Sequence, residues 1–102
     1  MVRLAIVYPS AEGKRFDMNY YIERHMAGAH QLLRDFGLVR VEVDRPIAPG
    51  AFACIGYFYF QSLDGLQRGL EARGGELIAD VPNYTDIAPQ FNTGEIVDVA
   101  PV

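Results

Sequence analysis

Phe52-Ala53-Cys54-Ile55-Gly56-Tyr57-Phe58-Tyr59-Phe60 is apolar on both of the faces that a strand would present. Side chains alternate along an extended chain, so Phe52, Cys54, Phe58 and Phe60 point one way and Ala53, Ile55, Tyr57 and Tyr59 the other. Helices packed on one side can cover only one of these faces. Leaving the second face wet would expose an apolar patch that is large for a monomer. The stretch therefore predicts a sheet with helices on one face and a second copy of the chain packed on the other.

The flanking sequence supplies the rest of that sheet. Upstream, Leu38 to Arg45 alternates strictly, with Val39, Val41 and Val43 on one face and Arg40, Glu42 and Asp44 on the other. Pro46, Pro49 and Gly50 connect it to Phe52. Val2 to Tyr8 is a short β-rich run stopped by Pro9, and a polar loop follows to Arg15. Asp17 can cap a helix running from about Met18 to Phe36, with Gly37 as its stop. Downstream, Ser62 can cap a second helix from about Leu63 to Arg73, which Gly74 and Gly75 are expected to end. Glu76 to Pro89 reads as irregular, with one helical turn near Leu77–Ala79, and Gln90 to Val99 reads as a last strand. The order strand, helix, strand, strand, helix, strand predicts an α+β, ferredoxin-like split βαβ domain over residues 1–102, with a four-stranded antiparallel sheet.

Composition removes several function classes. The 102 residues are 50% hydrophobic and 22% charged, as in ordinary globular proteins and unlike disordered chains. The net charge is −4 and the nine Lys and Arg residues are scattered, so there is no basic stripe to meet phosphates and no nucleic-acid partner is expected. Ala51 to Phe60 is about half a membrane span, so no membrane partner is expected either. A single cysteine, Cys54, excludes a disulfide framework and a multi-cysteine metal knuckle. With no secretory signal visible, the chain reads as cytoplasmic. No nucleotide-binding glycine motif or c-type haem attachment motif is present, and no cofactor is expected. A small molecule is the partner left, beside a second copy of the chain.

One polar residue intrudes on the apolar stripe of the first helix. At roughly 100° per residue, Tyr21, Ile22, Ala29, Leu32, Leu33 and Phe36 fall within about a 120° arc, and His25 lies near its centre. Burying an imidazole without a partner costs about 1–3 kcal/mol, so something must bond it or use it. Two readings stay open: a core histidine satisfied by a carbonyl or a tyrosine, and a cleft-lining histidine that titrates near neutral pH. Its expected partners are tyrosine hydroxyls, Tyr8 or one from the third strand. His30 sits about 140° around the helix from His25, so the two do not form a metal pair and no metal site is expected. Cys54 is read as a small hydrophobe, or as a nucleophile if it faces the helices and finds a base there.

Val7-Tyr8-Pro9, Phe16-Asp17 and Tyr20-Tyr21-Ile22-Glu23-Arg24-His25-Met26 resemble the opening signature of the EthD family, named after a protein linked to ethyl tert-butyl ether degradation. Asp80-Val81-Pro82-Asn83-Tyr84-Thr85-Asp86 and Ile87-Ala88-Pro89 resemble its second signature. The resemblance covers nearly the whole chain and departs from the family at Ala27-Gly28, where a proline-containing pair is common. It implies a dimeric α+β barrel, in which two ferredoxin-like sheets pack face to face and each subunit holds a ligand between sheet and helices. Members of that superfamily include cofactor-independent monooxygenases, lactone isomerases, haem-dependent enzymes and proteins with no known reaction.

The resemblance implies a pocket-lining place for His25; the candidate site read from the residues has His25 as general acid or base and a pocket lined by Tyr8, Phe16, Tyr21, Tyr57 and Tyr84. Asp80, Asn83 and Asp86 are either pocket residues or turn formers around Pro82. Two functions stay open. One is an enzyme acting on a small oxygenated or aromatic catabolic intermediate by monooxygenase- or isomerase-type chemistry. The other is a non-catalytic binding or accessory protein supporting a degradative monooxygenase system.

Overall fold

β1 (Val2–Pro9) runs through the middle of a four-stranded antiparallel sheet, between β3 (Phe52–Phe60) and β4 (Gln90–Glu95). β2 (Leu38–Asp44) lies outside β3, giving the order β2-β3-β1-β4. With one helical segment after β1 and another after β3, this is the ferredoxin-like split βαβ arrangement. The computed structural model describes residues 1–101. No helix among them is long and apolar enough to cross a membrane.

Strand register decides which side chains meet the helices. Leu4 pairs with Phe58, Ile6 with Gly56 and Tyr8 with Cys54, while Val41 and Val43 of β2 also pair with Phe58 and Gly56. This face is buried against Tyr21, Met26, Ala29, Leu33 and Leu66. Each large apolar side chain taken out of water there contributes about 1.5–3 kcal/mol. Cys54 belongs to this layer, and burial pushes its thiol up to about 12, so it packs as a small hydrophobe and offers no thiolate.

The opposite face carries Arg3, Ala5, Val7, Ala53, Ile55, Tyr57 and Tyr59. Tyr57 therefore does not line the pocket as expected: the alternation that sends Phe58 to the helices sends Tyr57 away from them. Its hydroxyl donates to Asp44 at 3.0 Å, and the Arg3 guanidinium lies 4.8 Å from the ring centre. Tyr59 does the same one pair along, donating to Glu42 at 2.7 Å beneath Arg40. The open face is thus apolar in its middle and polar at its tyrosine tips.

Two strand details differ from the sequence pattern. A register shift between Leu38 and Arg40 turns Val39 out to solvent and lets Leu38 take the inward position. β4 ends at Glu95, opposite Val2 at the start of β1, and not at Val99.

The first helical segment, 18–36, starts where Asp17 accepts the Tyr20 amide at 3.1 Å and stops at Gly37, whose φ of 86° suits glycine. Its middle, Tyr21–Met26, is a π-helical turn. Tyr21, His25, Ala29 and Leu33 recur every four residues and in an α-helix would drift by roughly 40° per step. The wider turn absorbs much of that drift and keeps all four buried on one face, leaving Ile22 exposed although the wheel placed it inside.

The second helix, Leu63–Asp80, runs straight through Gly74 and Gly75. Neither takes the positive φ of a C-terminal glycine cap. Leu70, Leu77 and Val81 pack on the core on either side of the pair and carry the helix past it. A 3-10 turn, Val81–Asn83, follows, in which Pro82 has no amide to continue the ladder.

Candidate active site

The helix extension decides the site, because it carries Asp80 to His25. The imidazole is 5% exposed, and its Nδ1 lies 2.8 Å from Asp80 Oδ2. On the other carboxylate oxygen, Asp80 Oδ1 accepts the Tyr20 hydroxyl at 2.7 Å and the Asn83 side-chain amide at 2.9 Å. Burial alone would raise the pKa of Asp80, but bonds from Asn83, Tyr20 and His25 outweigh it and hold the carboxyl below its ordinary range. An ionised carboxylate can only accept, so Nδ1 of the neutral ring carries its proton and Nε2 presents a lone pair.

That lone pair meets tyrosine hydroxyls. Tyr84 Oη lies 3.5 Å from His25 Nε2 and 2.5 Å from Tyr8 Oη. Burial first, and then the bond to Tyr8, raises the pKa of Tyr84, so it stays a neutral phenol. A chain of polar contacts runs from Tyr8 to Tyr84, from Tyr84 to His25 Nε2, and from His25 Nδ1 to Asp80, with either tyrosine hydroxyl able to donate to the other. Its weakest link is the long contact at Nε2, where an incoming oxygen can take the Tyr84 proton. The Tyr21 ring stacks on His25 with centroids 5.4 Å apart and fixes the plane of the imidazole.

The segment carrying Tyr84 is held by the loop before the first helix. Asp17 N–H donates to the Tyr84 carbonyl at 2.8 Å, and Thr85 Oγ1 donates to the Arg15 carbonyl at 2.7 Å. The Arg15 guanidinium reaches back to the Pro82 carbonyl and pairs with Asp86 at 3.4 Å.

His25, Tyr8 and Tyr84 line a cavity of about 640 Å³ between the sheet and the second helix. Every other lining residue is apolar or glycine, including Leu4, Ile6, Phe58, Leu70, Leu77 and Phe91. Phe16 and Tyr21 do not line it, contrary to the sequence reading. They stand behind it, with Phe16 edge-on to the Tyr8 ring at 5.0 Å and Tyr21 tilted against the Tyr84 ring at 5.0 Å, and brace both tyrosines. The Tyr21 hydroxyl points over Gly56 and has no hydrogen-bond partner among the described residues.

Of the expected partners of His25, Tyr8 reaches it only through Tyr84, and the third-strand tyrosines lie on the other face. Asp80, read as turn or pocket residue, is the nearest partner, and Asn83 braces it. Asp86 stays outside as the surface partner of Arg15. His30 is exposed beside Ile22, Gln31 and Glu42 and takes no part. Among the described residues, no three His, Cys, Asp or Glu side chains gather as metal ligands.

No family model and no curated protein matches the sequence. Solved structures do. SnoaB, a cofactor-independent oxygenase from Streptomyces nogalater, shares the fold with a TM-score of 0.71 at 12% identity, over 99% of this chain and 97% of its own. An ethyl tert-butyl ether degradation (EthD) family protein from Bacillus halodurans C-125 superposes with a TM-score of 0.64 at 17% identity, over 95% of this chain and 99% of its own. An EthD-like protein from Ralstonia eutropha JMP134 is 31% identical over 95% of this chain and 92% of its own, with a TM-score of 0.86. At that identity and coverage, with the fold in common, the chain belongs to the EthD-like family.

Proposed function

We propose that the chain binds a small oxygenated catabolic intermediate in the cavity between sheet and helices and uses His25 as general base and then general acid. The observation that carries this reading is the convergence of His25 Nε2 and the hydroxyls of Tyr84 and Tyr8 at one end of an otherwise apolar cavity, with Asp80 behind the ring. A carbonyl oxygen seated against the hydroxyls leaves its α-carbon facing Nε2. His25 takes the α-proton, Asp80 steadies the imidazolium, and the tyrosines donate to the enolate oxygen. The enolate either takes the proton back at another carbon, an isomerisation, or reacts with dioxygen. In the second case dioxygen adds at the α-carbon as a peroxide, whose O–O bond breaks as the second α-proton leaves: an α-CH2 becomes C=O with one oxygen atom, and the other leaves as water. The fold shared with SnoaB, a cofactor-independent oxygenase, supports the second branch.

The test is deuterium exchange at the α-carbons of 2-tetralone, a neutral enolisable ketone, followed by NMR in heavy water. The protein should accelerate exchange, and His25→Ala should remove roughly 10²–10⁴-fold of that acceleration. The melting temperature should move little, because Asp80 keeps its bonds to Tyr20 and Asn83. Tetralone binding without faster exchange would overturn the catalytic reading in favour of a non-catalytic binding protein.

The proposal includes a homodimer joined through the open sheet face. Ala5, Val7, Ala53, Ile55 and the ring faces of Tyr57 and Tyr59 form its apolar middle. Light scattering at micromolar concentration should give twice the chain mass, and a clean monomer would remove this part of the proposal.

A further inference from the structure

Two glycines of the second helix, Gly74 and Gly75, line the cavity, and Gly74 is the buried one. Along the second helix, Leu70, Gly74, Leu77 and Val81 face the sheet in turn, and Gly74 is buried although it has no side chain to bury. A Cβ built there meets only the Leu70 side chain, at 3.7 Å, an ordinary contact. The space beneath it is therefore part of the cavity. Gly74 lies six residues before Asp80, so it stands roughly 9 Å along the helix axis from the polar end. On the sheet side, Leu4 lies four residues before Tyr8 on β1, roughly 13 Å away. Apart from Tyr8, His25 and Tyr84, the lining, with Leu4, Ile6, Phe58, Leu77 and Phe91 among it, carries no charged or polar side chain.

We infer that Gly74 is the residue that sets substrate length: its missing side chain forms a subsite for the apolar far end of a molecule whose single oxygen-bearing end rests on Tyr84, Tyr8 and His25. The substrate class is an uncharged compound about as long as two fused rings, carrying its oxygen at one end. Nothing along the apolar wall satisfies a second polar group or a charge, so either would be buried at a cost. This inference rests on reading the cavity as the binding site.

The experiment titrates 2-naphthol and phenol into the wild-type chain and into Gly74→Leu and Gly74→Ala by calorimetry. Both substitutions place better helix formers in mid-helix, so the fold is kept. Phenol fits between the polar end and Gly74, whereas the second ring of naphthol reaches beneath it. Gly74→Leu should weaken naphthol at least about tenfold and leave phenol within about twofold, with Gly74→Ala between. Unchanged naphthol affinity, equal loss of both probes, or no naphthol binding to the wild type would each overturn the inference. The ¹⁵N signals of the His25 ring report separately on the reading beneath it. Naphthol that binds and is weakened by Gly74→Leu while those signals stay still would sink the acid–base role and leave the subsite standing.

Discussion

Replacing Asp80 by asparagine is expected to slow proton transfer in the site by roughly 10²–10⁴-fold, as much as losing the base itself. The change is nearly isosteric, so the size of the effect comes from one proton. Oδ1 of Asp80 accepts from Tyr20 at 2.7 Å and from Asn83 at 2.9 Å. In the asparagine variant those two donors hold the amide oxygen where Oδ1 was. The amide NH₂ then occupies the place of Oδ2, 2.8 Å from His25 Nδ1, and donates to it. Nδ1 becomes the acceptor, the ring proton moves to Nε2, and the lone pair that faced the cavity is gone. Tetralone exchange measures the rate, and imidazole ¹⁵N shifts measure the tautomer. If Asp80→Asn exchanges tetralone as fast as the parent, the carboxylate does not orient His25. If the rate falls while the tautomer is unchanged, Asp80 acts through its charge and not through orientation.

The site was half legible in the sequence, and the illegible half has a definite cause. His25 stood out because the helical wheel needs no tertiary information: one imidazole among apolar neighbours is a local anomaly. The sheet was legible for the same reason, since the alternation in Phe52–Phe60 fixes which side chains share a face. Tyr57 was misplaced only because a pocket role was assigned across faces that the alternation had already separated.

Asp80 was hidden by Gly74 and Gly75. Read as a helix stop, the pair put Asp80 in a loop, where its turn-forming chemistry is the plain explanation. In the structure the helix continues, and Asp80 comes at its last turn, four residues before Tyr84. One signal was available: Leu70, Leu77 and Val81 keep a helical spacing across the glycines, which a terminated helix has no reason to do. The π turn was harder to see. An i, i+4 repeat at Tyr21, His25, Ala29 and Leu33 is compatible with a drifting α-helix, and only packing decides that all four are buried together.

Glycines in that one helix also give the largest expected effect on stability, with opposite signs at two positions. Gly65→Ala should destabilise the chain by about 2–3 kcal/mol, the usual cost of forcing atoms into a filled space. For a chain of this length that lowers Tm by roughly 10–20 °C. A Cβ at Gly65 would stand 2.2 Å from the Phe36 carbonyl oxygen, a backbone atom with no rotamer to escape through. The crossing is also clamped from its flank, because the Gln61 amide donates to the Gly37 carbonyl at 3.0 Å. Ser62 holds Gly65 from the other direction by accepting its amide at 3.1 Å. Gly69 is less tightly held: its Cβ would meet the Leu33 and Phe36 side chains at 3.2 Å, and side chains can yield. At Gly74 the only neighbour is Leu70 in ordinary contact, so alanine there should stabilise the chain by about 0.5–1 kcal/mol through helix propensity alone. Thermal unfolding of the three alanine variants should therefore order them Gly65, Gly69, Gly74 from lowest to highest Tm, with only the last above the parent. If Gly65→Ala melts within a few degrees of the parent, the two helices do not cross as closely as the carbonyl contact requires. The packing that carries Asp80 to His25 would then need another explanation.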